Sequence, residues 1–314
     1  MQNEDEYDDL LSLWSDLESG LGVILGSPAS TQEFEPRVWQ YDRWMKTLLE
    51  RDTDLGLYLL FQLATNSRVG YSASHALVCA VLCHLIAVEL KLPQSERDSL
   101  VHAALTMNIA MTRLQDQLAA QAEKVSAEQQ AGIDGHADKG AAMLANIGVT
   151  NALWLNTVKH HDENDDKAAL HAIPPVRRLA RILNVVDRYA AQISPRKSRE
   201  ARTASDSLRN IMTDASYPND QVIHALVSTV GSCPPGTYVR LDNRQIAVVM
   251  RRSSHPSLPL VAIVLSETGA LISPPTLHRT ASGRPAIKAA LTSSAVHEHL
   301  NHYVILRLAA TVTP

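Results

Sequence analysis

Apolar residues recur every three or four positions through most of the first 230 residues, a period that predicts a helical body. Between Val38 and Asn66 the stripe runs Trp44, Leu48, Leu49, Leu55, Leu59, Leu60 and Leu63. Ser72 or Ser74 is placed to cap the next helix, Ala76 to Leu90, which Lys91-Leu92-Pro93 ends. Ser95 and Glu96 open another, carrying Leu100, Ala103, Ala104 and Leu105. Further helices fit Asp116–Ala122, Ser126–Gly132, His136–Asn146, Asn151–His161, Pro174–Ile193, Ser198–Thr213 and Asp220–Val230. Residues 1–30 read as a short acidic helix followed by a loose Gly-Ser-Pro-Ala-Ser joint.

The period changes at Cys233-Pro234-Pro235-Gly236. From Tyr238 two short β-like runs flank Asp242-Asn243, a hairpin pattern, and a third covers Leu260–Leu265 before the turn Glu267-Thr268-Gly269. The expected architecture is mainly α: an N-terminal helical extension over 1–68, a helical domain over 69–232, and a small β-rich module with a tail over 233–314. Within 273–314 the pattern assigns no elements.

Composition sharpens this. The chain is 45% apolar but only 4% aromatic, so its core must be built from Leu, Ala, Val and Ile, which suits helix packing. A net charge of −4 argues against a general DNA binder. No apolar run approaches bilayer-spanning length, and the N-terminus MQNEDEYDDL is too acidic for a signal peptide. Three cysteines, Cys79, Cys83 and Cys233, point to a reducing compartment without a disulfide framework. These features predict a cytoplasmic chain with no membrane or DNA partner.

Five polar residues sit at helix ends or inside apolar helices: His75, His136, His160, His161 and Asp187. Asp187, within ARILNVVDRYA, needs a partner or a cation if buried. Imidazole with carboxylate suits iron, manganese or zinc. Singly, each reads more simply as a core or helix-end residue, and adjacent histidines at a helix C-terminus complement its dipole. Taken together and in order, they point to a metal site. His75, Cys79 and Cys83 share one helix face at four-residue spacing, but a zinc site there lacks a fourth ligand and a core stripe is the simpler reading. Arg177, Arg178, Arg181 and Arg188 read as a solvated helix face, and Asp162–Asp166 as a solvated loop. Arg196 and Arg199 flank a helix start after Pro195, where guanidinium and backbone N–H groups suit a phosphate.

The order of these residues resembles the HD-GYP family, metal-dependent phosphodiesterases of cyclic di-GMP, over roughly 70–232. YSASHALVCAVLCHLIAVEL resembles the helix of its first histidine, HADKGAAML its H-x-x-x-G segment, VKHHDEN its HHE stretch with Asp162 for Glu, and ILNVVDRYAAQISPRKSR its closing segment. PPGTYVRLDNRQIAVVMRR is similar to a β extension found after some members. The resemblance implies an HD-type helical fold, metal ligands at His75, His136, His160, His161 and Asp187, and phosphate contacts from Arg196 and Arg199.

The departures fall on the chemistry. Where the family carries His-Asp and, three residues on, lysine, this chain has Met107, Asn108 and Met111. DENDDKAALHAIPP replaces the GYP stretch, and the chain's one His-Asp dipeptide is His161-Asp162. A bridging aspartate offsets the repulsion of two closely spaced cations; a neutral amide and a thioether do not. Losing one electrostatic contributor alone costs about 10²–10³ in rate. The expectation is a degenerate, non-catalytic signalling protein that binds cyclic di-GMP or a signalling partner protein. It would hold one weakly bound transition metal (iron, manganese or zinc) or none. The alternatives are an active phosphodiesterase in which Asp162 or another acid replaces the lost bridge, and a pure interaction scaffold. Nothing in the sequence indicates an oligomeric state.

Overall fold

The computed structural model describes residues 2–66, 69–163, 168–198, 201–213, 221–296 and 300–310. Helix α1 covers Gln2–Gly26, so the acidic start is a long helix whose stripe, Leu10, Trp14, Leu17, Leu21 and Leu25, is buried. The stripe from Val38 to Asn66 divides into α2 (Phe34–Arg51) and α3 (Thr53–Asn66). The break is at Asp52, whose backbone is extended (φ −161°, ψ 102°) and whose Oδ1 accepts from the Leu55 N–H at 3.0 Å. A short carboxylate that captures a backbone donor competes with helix continuation.

Helix α4 spans Tyr71–Glu89 and α5 spans Gln94–Thr106. The first begins earlier than its serines suggest: Ser72 and Ser74 lie in its first turn instead of capping it. One free N–H of that turn is met from α6 (Thr112–Ala120), where Asp116 accepts from Ser72 N at 2.8 Å and from Ser72 Oγ at 3.0 Å. Every residue of α4 from Ser72 to Cys83 is buried. By length and composition α4 could cross a membrane, contrary to the expectation that no run is long enough, but 78% of it lies inside the protein core.

The remaining helices follow the predicted order: α7 (Ala127–Asp134, with a Ser126–Gln129 capping box), α8 (His136–Asn146), α9 (Ala152–His160, capped by Asn151), α10 (Pro175–Ile193), α11 (Ala204–Thr213) and α12 (Gln221–Val230). Helix α11 starts later than expected because Thr203 Oγ1 accepts from Asp206 N at 3.0 Å and so caps it.

The C-terminal region forms one antiparallel sheet, β1 (Tyr238–Leu241), β2 (Ile246–Arg251), β3 (Leu260–Leu265), β4 (Leu271–Arg279) and β5 (Ile287–Leu291), in the order β4-β3-β2-β1-β5. Helix α13 (His302–Ala310) follows. Side chains alternate between the faces of a sheet. Tyr238, Val248, Met250, Ala262 and Val264 therefore join the helical core, while Val239, Leu241, Ala247, Val249, Val261 and Ile263 form a second apolar layer. Asp52 clamps the sheet from below, taking Arg251 Nη1 at 3.1 Å and Nη2 at 2.6 Å. Gly236 (φ +88°) rests on α3 so closely that a Cβ would lie 2.6 Å from Tyr58 O. Only glycine fits there.

Helix α13 buries Ile305 and Leu306, and its His302 Nδ1 accepts a 2.7 Å hydrogen bond from Tyr58 OH. Burial lowers the His302 pKa from its ordinary 6.5. The unfolded state therefore binds the extra proton first, so stability is present above about pH 6.5 and falls as pH drops toward the folded pKa. Protonation also removes the acceptor that Tyr58 uses. Protection factors of the α13 amides against hydrogen exchange, corrected for the intrinsic pH dependence, should fall below about pH 6.5, and His302→Asn should flatten that dependence. An unchanged profile in the variant would remove His302 as the cause.

Candidate metal and phosphate site

Because α4 is buried on all sides, His75 needs a polar partner. Asp187 of α10 provides it: His75 Nε2 lies 2.7 Å from Asp187 Oδ1, while His75 Nδ1 has no hydrogen-bond partner among the described residues. Asp187 keeps 26% of its side chain exposed, so the pair opens to solvent on that edge. Burial works to raise the Asp187 pKa. The bond from His75, with the charges of His75, His161 and His136, outweighs it and holds the carboxyl below its ordinary range. Cys79, one turn along α4, places Sγ 3.6 Å from His75 Nε2. Burial above all, then Asp187 and Cys83, raises its thiol well above the ordinary pKa.

The second group is formed by α8 and the end of α9. His136 Nδ1 donates to Ile133 O at 2.6 Å, and His161 Nδ1 donates to Val158 O at 2.7 Å. With both Nδ1 atoms protonated, each neutral ring presents an Nε2 lone pair, and the two Nε2 atoms face each other at 3.1 Å. Two acceptors at that distance repel unless a proton or a cation lies between them. Two nitrogens on one transition metal stand about 2.9–3.4 Å apart for bonds near 2.0–2.1 Å. The residues present therefore fit a metal ion. Asp162 brings Oδ2 to 3.4 Å from His136 Nδ1 and Oδ1 to 3.7 Å from His161 Nε2. Burial lowers the His161 pKa, with His136 adding to the effect and Asp162 opposing it.

Between these groups and α5 runs the turn at 107–109. It packs against Gly140 of α8, one turn from His136: a Cβ on Gly140 would stand 3.6 Å from Met107 O and Ile109 Cγ2. Met107 is buried in the apolar core. Neither Met107, Asn108 nor Met111 brings a carboxylate or imidazole to the site.

Of the ligands expected from sequence, the structure brings His75 and Asp187 together, and His136 and His161. His160 stands apart from both groups: its Nδ1 pairs with Glu163 Oε1 at 2.5 Å, and Glu163 also binds Arg177. Arg178, read as a solvated helix residue, instead pairs with buried Glu96 (Nε–Oε2 2.9 Å, Nη2–Oε1 2.7 Å). Arg181 is also buried, donating to Ala168 O at 2.7 Å. Arg199 lies outside the described residues. Arg196 lies over the Tyr71 ring, 4.8 Å from its centroid, and donates to Tyr71 OH at 2.9 Å; its buried Nε has no partner among the described residues. Tyr71 in turn stacks on His75, with centroids 5.4 Å apart and planes at 13°. Tyr71 was not singled out from sequence, and Cys79 was weighed as a zinc ligand but read as part of a core stripe. Their spacing of four on either side of His75, one face of one helix, was the available sign.

Residues 59–218, half of the chain, match the HD domain family model. The chain belongs to the HD domain family. In sequence it is similar to cyclic di-GMP phosphodiesterase PA4108 of Pseudomonas aeruginosa, 28% identical over 214 residues that cover 67% of this chain and 51% of that protein. The chain thus spans about half the length of that relative. In fold it is similar to Bd1817, a HDG"Y"P protein from Bdellovibrio bacteriovorus, with a TM-score of 0.50, 12% identity and 70% of each chain covered. Within the HD domain family it is an HD-GYP member.

A cation between His136 and His161 would stabilise the folded state by mass action. At about 1 mM manganese, a site of roughly 10 μM affinity contributes about 2.7 kcal/mol. Manganese should therefore raise the thermal midpoint of the wild type and raise that of His161→Ala much less. Equal shifts in both would show that the pair is not the site.

Proposed function

We propose that this protein binds cyclic di-GMP through Arg196 and has lost the means to hydrolyse it. The observation that carries the reading is the 107–109 turn. It faces the helix of His136, yet Met107 is buried among apolar side chains and Asn108 is neutral. The turn itself brings no carboxylate to bridge two cations, and close cation pairs repel without one.

Recognition asks less of the site than catalysis does. Tyr71 holds the Arg196 guanidinium by a ring face and a hydroxyl, so little side-chain freedom is lost when a phosphate arrives. Charge-assisted bonds from the remaining Nη hydrogens to phosphate oxygens would carry the recognition. His136 and His161, fixed by their Nδ1 bonds, would hold one cation, as would His75 with Asp187. A bound cation would supply positive charge near a phosphate oxygen.

One feature favours a second reading. Asp162 approaches both His136 and His161, so its carboxylate could take the role of the lost bridge and leave an active phosphodiesterase.

Calorimetry and a turnover assay separate these readings. Cyclic di-GMP should bind with roughly micromolar affinity, and Arg196→Ala should weaken it about tenfold, a loss of about 1.4 kcal/mol. Binding should also weaken as salt rises, since the contacts are ionic. No turnover is expected with added manganese or iron. Turnover abolished by His161→Ala would establish the second reading, and absence of binding at high micromolar nucleotide would leave a protein-interaction scaffold.

A further inference from the structure

The thiol of Cys79 has unusual company for a core cysteine. Cys83, one turn further along α4 and equally buried, belongs to no donor group among the described residues, whereas Cys79 shares its surroundings with an imidazole and a carboxylate. The donor atoms of His75, Cys79 and Asp187 all lie within 4.8 Å of one another. We propose that these three residues form a cation site of their own, selective for zinc-class ions, with the Cys79 thiolate as its soft ligand. The inference shares one premise with the proposed function, namely that Met107 and Asn108 bring no ligand; it does not depend on nucleotide binding.

The geometry supports a tetrahedral ion. Bonds near 2.05 Å to nitrogen and 2.3 Å to sulfur separate those atoms by about 3.5 Å, and His75 Nε2 and Cys79 Sγ stand 3.6 Å apart. The His75–Asp187 edge is now closed by a 2.7 Å hydrogen bond and would open by about 0.6 Å to seat the ion. The exposed edge of Asp187 provides the route in and room for a water as the fourth ligand. Charge balances as well. On binding, Cys79 loses its proton to solvent and its sulfur bonds the ion; one thiolate and one carboxylate then neutralise a dication beside a neutral imidazole. No net charge is buried. Thiolate softness shifts preference away from manganese and magnesium toward zinc and cobalt.

Cobalt(II) titration of the metal-free full chain provides the test, read as the thiolate-to-cobalt charge-transfer band in the near ultraviolet. The wild type should develop that band and saturate it. Cys79→Ser should lose it and bind cobalt at this site at least ~10-fold more weakly, since even outer partners of a ligand are worth that much. Cys83→Ser, which alters the same buried helix, should keep the band and so controls for folding. The double variant His136→Ala/His161→Ala should keep it too. Cobalt bound without a thiolate band, or an unchanged band in Cys79→Ser, would overturn the inference while leaving nucleotide binding untouched. Failure to bind cobalt at all would overturn it equally, and the calorimetry with cyclic di-GMP would still decide the proposed function.

Discussion

The bond between His75 and Asp187 is the interaction on which the site depends. Helix α4 is apolar on every side, and a histidine in its interior is tolerated only if something polar reaches it. Asp187 does so from α10, locking two long helices in register at 2.7 Å. That register sets the rest: Tyr71 sits one turn before His75 and stacks on it, Arg196 just beyond α10 settles over Tyr71, and Cys79 falls one turn after. Removing either partner of the bond would leave a buried polar group alone, which is costlier than never having had the pair.

Much of the fold was legible in the sequence because helix period survives burial on one face. Helices α7 to α10 appear close to their predicted spans, and the hairpin at Asp242-Asn243 forms β1 and β2. Illegible features arose from long-range partners. The start of α4 is set by Asp116, 44 residues away, and the break between α2 and α3 by Asp52, whose carboxylate also serves Arg251. Strands β4 and β5 were missed because their side chains are mostly exposed or half-buried, and Pro274 and Pro275 interrupt β4. Neither strand shows an apolar alternation for the eye to find. In the site, His75, His136, His161 and Asp187 stood out in the sequence by residue type and order. The facing of His136 and His161 across 3.1 Å was not readable there, because it depends on how α8 and α9 pack.

The proposed function would separate holding a ligand from transforming it. The site's histidines are oriented by backbone carbonyls and its arginine by an aromatic ring, so these groups keep their positions whether or not the bridging residues survive. Hydrolysis by a cation pair needs a negative charge shared between two ions. On the proposed reading, Met107 and Asn108 would leave that charge missing, and Met107 adds apolar packing to the core instead.

Gly236 carries a consequence for how the molecule comes apart. Its backbone lies against Tyr58 with no room for a side chain, and the inner face of the sheet shares one apolar layer with the helices. The sheet is therefore a wall of the helical body, not a tethered module. Cleavage near residue 232 would not release two self-sufficient pieces; it would strip the cover from α3 and leave its apolar surface wet. Apolar surface bared in this way favours aggregation.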